Sequence, residues 1–226
     1  EGAKRDGARV SDKKIAFISG ANRGIGLETA RKLGERGITV VVGSRSLIKG
    51  EEAAQRLRGQ GIDARAVHHD ASDPSTEDTV FEYLEGNFGQ LDVLVNNAGI
   101  TRETLFGDET VLTVSTNALR ETFETNSFAV VSLTQRLMPL IRNSKAGRIV
   151  NLSSILGSLS LQAAPESPLD SSKAFAYNAS KTAINSFTIH LAHALANTPI
   201  KANSAHPGWV RTAMGGDGAP IEVDEG

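Results

Sequence analysis

From Lys14 onward the chain alternates short apolar runs rich in β-branched residues with longer stretches whose apolar positions recur at helical spacing. Six runs predict strands: IAFISG at 15–20, ITVVVG at 38–43, ARAVHH at 64–69, LDVLVNNAG at 91–99, GRIVNLSS at 147–154 and KANSAHPG at 201–208. Helices fit between them over 24–36, 74–87 and 115–143, with Asp73 as N-cap and Pro74 at the first helical position of the second. A further helix is predicted over 177–196, where Ile184, Phe187, Leu191 and Leu195 form one apolar stripe. Apolar strands separated by helices are the pattern of a parallel sheet with crossover connections. Right-handed crossovers then give an α/β, doubly wound parallel sheet with helices on both faces, and ligands of such sheets sit at the carboxyl ends of the strands. Residues 1–13 are polar and glycine-bearing and are expected to form a flexible arm, which leaves 14–226 as a single domain.

Lys and Arg number 24 against 26 Asp and Glu, a net charge of -2, and the cations are scattered, which argues against a nucleic-acid partner. The absence of cysteine excludes a disulfide, a thiolate metal site and a cysteine nucleophile. No stretch approaches the roughly 18 apolar residues of a membrane span. With no signal peptide at the start, a cytoplasmic protein without a membrane partner is expected. His190 and His193 lie three apart on a predicted helix, beside Ser186 and Asn197 and far from any carboxylate cluster, so a solvated face and no metal are expected there. His68 and His69, adjacent on a strand, should point to opposite sides.

The segment ISGANRGIG follows the first predicted strand and opens a helix, with Gly20, Gly24 and Gly26 at the turn. Glycines there let the backbone approach a pyrophosphate, and a helix N-terminus supplies free N–H groups. The spacing is GxxxGxG, and a tight βα turn without a ligand is the other reading. An NAD site would usually place an acid at the end of the second strand. The chain has Gly43, Ser44 and Arg45 there, and Arg45 with Arg23 would suit a 2′-phosphate, the alternative being two solvated arginines.

Tyr177, one of two tyrosines, stands one helical turn before Lys181, so the two share a face at the edge of the apolar stripe. A phenol ordinarily has a pKa near 10; a nearby ammonium lowers it and fits the phenol for proton transfer at working pH. A packed tyrosine beside a snorkelling lysine is the bland alternative. Ser153 and Ser154 end the strand run 147–154, where a hydroxyl could hold a carbonyl oxygen or simply serve a turn.

Taken in order, GANRGIG, LDVLVNNAGI, TNSF, GRIVNLSS, YNASK and HPGWVRT resemble the short-chain dehydrogenase/reductase family, in its single-domain, carbonyl-reductase-like branch, over about 14–214. The resemblance implies a Rossmann-like fold and four catalytic residues. Tyr177 would be the acid/base, Lys181 would lower its pKa and bond the nicotinamide ribose, Ser154 would orient the carbonyl, and Asn126 would hold a water near the lysine. It also implies that Asp70 contacts the adenine, that Asn97 and Gly99 flank the adenosine side, and that Thr212 holds the carboxamide. With the glycine loop and the second strand end, the cofactor set becomes Gly20, Asn22, Arg23, Gly24, Ile25, Gly26, Ser44, Arg45, Asp70, Ala71, Asn97, Ala98, Gly99, Lys181, Pro207, Gly208, Val210 and Thr212. Asp70 as a plain loop residue, and NNAG as a strand-end stabiliser, are the bland readings.

Two departures stand out. The segment ILGSLSLQAAPESPLDSSKAFA between Ser154 and Tyr177, with Pro165 and Pro168, is longer than the family's usual dozen residues, and Gly226 comes before the last strand expected. The expected activity is hydride transfer between NADP(H) and a small carbonyl or alcohol substrate; the alternative is a non-catalytic NADP(H)-binding sensor. A serine hydrolase is disfavoured because GxSxG is absent. Segments 100–113, 156–174 and 214–226 should line the substrate pocket. Thr182, Ser186, His190 and His193 are expected to face outward, which favours a monomer or homodimer over a tetramer.

Overall fold

The computed structural model describes residues 13–167 and 169–226; positions 1–12 of the expected arm, and Pro168 of the long segment, lie outside the described residues. The chain runs β1 (Ile15–Ile18), α1 (Gly24–Glu35), β2 (Thr39–Ser44), α2 (Leu47–Arg58), β3 (Ala64–His68), α3 (Ser75–Phe88) and β4 (Val93–Asn96). It continues with α4 (Thr116–Phe123), a π-helical turn (Glu124–Phe128), α5 (Ala129–Arg142), β5 (Arg148–Leu152), a 3-10 turn (Ile155–Gly157), α6 (Leu159–Gln162), α7 (Phe175–Ala194) and β6 (Lys201–Ala205). The six strands are parallel, in the order β3-β2-β1-β4-β5-β6. This is the Rossmann-like doubly wound sheet, and its order reverses between β1 and β4, where a crevice opens.

Strand β1 shows why the runs are apolar throughout. Ile15 and Phe17 point to one face and join Val80, Leu84, Leu133, Leu137 and Leu195 from the α3, α5 and α7 side. Ala16 and Ile18 point to the other and join Ala30, Ala53, Ala54 and Leu57 of α1 and α2. Both faces are covered, so neither parity of the strand can be polar. Each fully buried leucine contributes about 1.5–3 kcal/mol. Edge strand β6 breaks the pattern, since Lys201 and Asn203 are exposed.

The predicted start of α3 holds to within a residue. Asp73 Oδ1 accepts from the Ser75 N–H at 3.0 Å, and Pro74 already has helical dihedrals, so Asp73 caps α3 from just outside it. Gly89, with φ +68°, ends the same helix in the left-handed region that glycine favours. The single helix expected over 115–143 is interrupted by the π turn, and α7 begins at Phe175, two residues earlier than predicted.

A buried polar ladder ties the strands to the helices behind them. Asn96 Nδ2 donates to Thr134 Oγ1 (3.0 Å) and Asn151 Oδ1 (2.8 Å), Asn151 Nδ2 donates to Thr188 Oγ1 (2.9 Å), and Ser204 Oγ lies 3.0 Å from the same hydroxyl. Such pairing fixes register, because an apolar core tolerates few other arrangements of five amide and hydroxyl groups. Residue parity also separates the two histidines: His69 is buried and edge-on to Phe17, His68 half-buried, and burial pushes His69 down to about 4.

Candidate active site

The glycine loop, NNAG and the two serines lie at the carboxyl ends of β1, β4 and β5, while TNSF lies in the π turn and YNASK in the first turns of α7. The loop after β1 turns through Gly20 and Gly24, both at positive φ (+65° and +57°), and enters α1. A Cβ at Gly26 would lie 2.5 Å from Asn97 Nδ2 and 2.9 Å from Ala21 Cα, so only glycine fits. The first N–H groups of α1 have no intrahelical partner. Its N-cap, Arg23, supplies no side-chain bond, and no acid occupies the first turn.

Asn97 braces the glycine loop from the end of β4. Its Nδ2 donates to the carbonyls of Ser19 (2.8 Å) and Gly20 (3.2 Å), while the Asn97 and Ala98 N–H groups both bond Ser19 Oγ. The side chain is therefore spent on holding the glycine loop against β4, which supports the strand-end reading. Behind Gly24, the segment after β6 folds back: the Thr212 methyl lies 3.5 Å from where a Gly24 Cβ would be. Gly208 turns at φ +89°, while Val210 is buried and bridged to Ile221.

At the end of β2, Ser44 is buried and its hydroxyl bonds the Ser46 backbone, whereas Arg45 is exposed. Burial pushes the Asp70 carboxyl up, but hydrogen bonds from Ser72 and the charges of Arg45 and His69 outweigh it and hold the pKa below its usual value. Arg23 is exposed as well, on the glycine loop.

Tyr177 and Lys181 are deeply buried, 9% and 5% exposed, where partial desolvation was expected. The Lys181 Nζ lies 5.6 Å from the Tyr177 ring centre and donates to the Leu152 carbonyl at 2.7 Å. Ser154 is near enough to the phenol to pull its pKa down, and its Oγ accepts from the Leu156 N–H at 3.2 Å. Its neighbour Ser153 is committed elsewhere, donating to Asn185 Oδ1 at 2.7 Å. Gly99 has no side chain to fill the space beside the lysine: a Cβ there would be 3.7 Å from Nζ and 3.4 Å from Asn126 Oδ1.

Asn126 sits in the π turn, a helix defect often found at functional sites. Its amide brackets Ile100, accepting from its N–H and donating to its carbonyl, both at 2.8 Å, and also donates to Ser180 Oγ. Both amide hydrogens are thus used within the protein. Gly157, which sequence did not single out, lets the 3-10 turn touch α7; a Cβ there would lie 2.7 Å from the Lys181 carbonyl carbon.

The pKa directions overturn one expectation. Burial pushes the Tyr177 phenol up, and the opposing pull of Ser154 does not offset it. Burial also pushes the Lys181 ammonium from 10.5 down to about 8. Charging a buried group costs free energy regardless of which neighbour it later serves.

A cavity of about 360 Å³ lies beside this cluster and does not include Tyr177, Lys181 or the glycine loop. It is bordered by Thr110 and Val111, by Leu159 and Gln162, and by Phe175 and Asn178 of α7. Two of the three segments expected to line a substrate pocket meet there; segment 214–226 does not border it.

The sequence model of the short chain dehydrogenase family matches residues 14–220. The chain belongs to the short-chain dehydrogenase/reductase family. It is 34% identical over 221 residues to the short-chain dehydrogenase anuI of Penicillium roqueforti, covering 95% of this chain and 85% of that one. Salutaridine reductase from Papaver somniferum superposes with a TM-score of 0.81 at 25% identity, over 94% of this chain and 92% of the other. A gluconate 5-dehydrogenase from Burkholderia cenocepacia, solved with NADP and tartrate, superposes with a TM-score of 0.77 at 27% identity, over 89% and 73%.

In this short-chain dehydrogenase/reductase the strained lysine has a stability consequence. The folded pKa of Lys181 is depressed, so the unfolded chain binds a proton that the native state lacks between about pH 10.5 and about 8, and stability falls as pH drops through that window. Lys181→Met removes this cost, up to about 3 kcal/mol, less about 1 for the lost Leu152 bond. The cofactor-free variant should therefore resist denaturant better than wild type at pH 7, and the advantage should shrink at pH 10. A variant less stable at pH 7 would show that the ammonium is not strained.

The two serines also separate. Ser154→Ala should lower kcat/KM by about 10- to 100-fold, the worth of one hydrogen bond to developing charge. Ser153→Ala should leave turnover near wild type and instead lower the melting temperature, because Asn185 Oδ1 loses its donor. Kinetics and thermal melts on both variants decide it, and the reverse ranking shifts the role by one residue.

None of the described helices is long and apolar enough to cross a membrane, and no cluster of three metal-ligating side chains occurs among the described residues. Ser186, His190 and His193 are exposed as expected, but Thr182 is not outward: its hydroxyl bonds the Gly157 carbonyl at 3.0 Å. Phe128 and Ile189, about as exposed as any large apolar side chains on these helices, make that surface less polar than the spacing suggested.

Proposed function

We propose that this oxidoreductase interconverts a carbonyl compound and its alcohol with NADP(H), using Tyr177 as the proton donor and acceptor. The observation that carries the reading is the convergence of the Tyr177 phenol, its neighbour Ser154 and the Lys181 Nζ beside the bare backbone of Gly99. The residues fit a dinucleotide. Gly20 and Gly24 take positive φ, Gly26 admits no Cβ, and a side chain at Gly99 would fill the cradle beside Lys181.

NADPH, when bound, supplies the hydride. Ser154 and Tyr177 would donate hydrogen bonds to the carbonyl oxygen, which fixes the carbonyl and favours charge on that oxygen. Tyr177 then gives up its proton as the oxygen becomes a hydroxyl, and takes one back in the reverse direction. An ammonium has three donors, of which Lys181 uses one on Leu152. The others are available to ribose hydroxyls, and contact with them would restore the charge that burial penalises. Arg45 and Arg23 would meet a 2′-phosphate, and Asp70 the adenine. An NADP-bound relative of the same fold is consistent with this assignment.

The test is loss of NADPH absorbance with a panel of ketones, aldehydes and quinones. Turnover of at least one class is expected. NADPH binding without turnover across the panel would favour the sensor.

A further inference from the structure

The catalytic helix begins without a cap of its own. Ala174, the residue before α7, offers no side-chain bond, and the first turn contains no acid. Ser, Thr, Asp or Asn at that position would satisfy one of the free N–H groups locally, and alanine is among the poorest choices. The bond is supplied instead from 74 residues away: Glu103 Oε2 accepts from the Tyr177 N–H at 3.0 Å. Glu103 is 5% exposed, and its second carboxylate oxygen is buried with no partner among the described residues. That is a costly way to cap a helix.

Glu103 belongs to a short stretch that is tied down at every step. Ile100 is bracketed by Asn126, Arg102 pairs with Glu121 at 2.6 Å, and Thr101 Oγ1 bonds both the N–H and the carbonyl of Glu103. The stretch continues directly from Gly99, the residue that leaves Lys181 its space. One bond therefore joins the loop after β4 to the backbone of the residue that carries the phenol. A local serine cap would stabilise the helix equally well but would not make that link.

We infer that Glu103 is a positioning residue, which sets the placement of the Tyr177 backbone by tying the first turn of α7 to the loop that borders Lys181. The inference rests on the reading of Tyr177 as the proton donor. Its effect is geometric: the requirement is an acceptor at that place, not a charge, so glutamine should serve. A displacement of about 1 Å at a reacting group can cost about a hundredfold in rate.

The experiment compares wild type, Glu103→Gln, Glu103→Ala and the double variant Glu103→Ala with Ala174→Ser, by melting temperature, by kcat and KM for NADPH, and by hydrogen exchange at the Tyr177 amide. Glu103→Ala should lose roughly ten- to hundredfold in kcat with little change in KM for NADPH, and its Tyr177 amide should exchange faster. Glu103→Gln should keep kcat within about threefold, since it still accepts, and should leave the pH profile unmoved. In the double variant the melting temperature should recover while kcat stays low. A double variant that recovers kcat as well would reduce Glu103 to a cap, and a Glu103→Ala kcat within twofold of wild type, or a Glu103→Gln as impaired as Glu103→Ala, would overturn the inference. Amide exchange reads the contact without turnover, so a wild type that reduces no carbonyl would sink the proposed function while exchange alone still reports whether Glu103 holds Tyr177.

Discussion

Tyr177→Phe should fold, bind NADPH as wild type does, and lose about a hundred- to ten-thousandfold in kcat, the usual contribution of a positioned proton donor. Only the hydroxyl is removed. The ring stays in its buried place, and Ser154 keeps the bond it accepts from the Leu156 N–H. Binding should be spared because Lys181, the glycine loop and the arginines are untouched. The upward pKa of the phenol adds a directional expectation. A tyrosine held above its usual value stays protonated across the neutral range, so reduction should be flat with pH there and fall only under strongly alkaline conditions. Alcohol oxidation needs the phenolate and should climb as pH rises. Rates in both directions against pH, with binding titrated separately, test this. A variant that kept more than about a tenth of wild-type turnover would remove Tyr177 from the proton-transfer role, since even the weakest such contribution exceeds that.

What was legible in the sequence is what local spacing encodes. Tyr177 and Lys181 share a helical face because they are four apart, and the central strands were the most readable because both sheet faces are covered there, so that β1, β2 and β4 are apolar at most positions. Asp73 and Pro74 declared the start of α3 for the same local reason. The parts that stayed hidden depend on where distant segments meet. Nothing near Glu103 announces that its carboxylate ends at the Tyr177 N–H. The need for glycine at 157 comes from the backbone of Lys181, on another element, and the π turn around Asn126 departs from the very period used to predict the helix. The direction of the Tyr177 pKa failed on the same account: charge spacing was visible, but the depth of burial was not. Asn97 was identified in the right motif, yet its side chain faces the glycine loop, which only the packing of β4 against β1 determines.

Arg45→Asp should move cofactor preference from NADPH toward NADH. Arg45 stands exposed at the end of β2, where an acid would otherwise bond the ribose hydroxyls, and Arg23 is exposed on the neighbouring glycine loop. The hydroxyl of Ser44 is already engaged with the Ser46 backbone, which leaves the guanidinium as the group at this strand end able to meet a phosphate. A hydrogen bond to a charged group contributes about 1.5–3 kcal/mol. At 1.4 kcal/mol per decade, wild type should favour NADPH by roughly ten- to hundredfold through Arg45 alone. Solvent exposure makes that preference salt-dependent, so it should shrink as ionic strength rises past the point where the screening length is about 10 Å. The substitution removes the phosphate's partner, adds a repelling charge and gives the ribose hydroxyls an acceptor, three changes of the same sign. It also takes away one of the charges that hold Asp70 ionised, so the Asp70 pKa should rise. The measurement is kcat/KM for NADPH and NADH, in both proteins, at low and high salt. If wild type prefers NADH, or if the ratio is unmoved by the substitution, then Arg45 faces only water and the phosphate must be read by Arg23 or not at all.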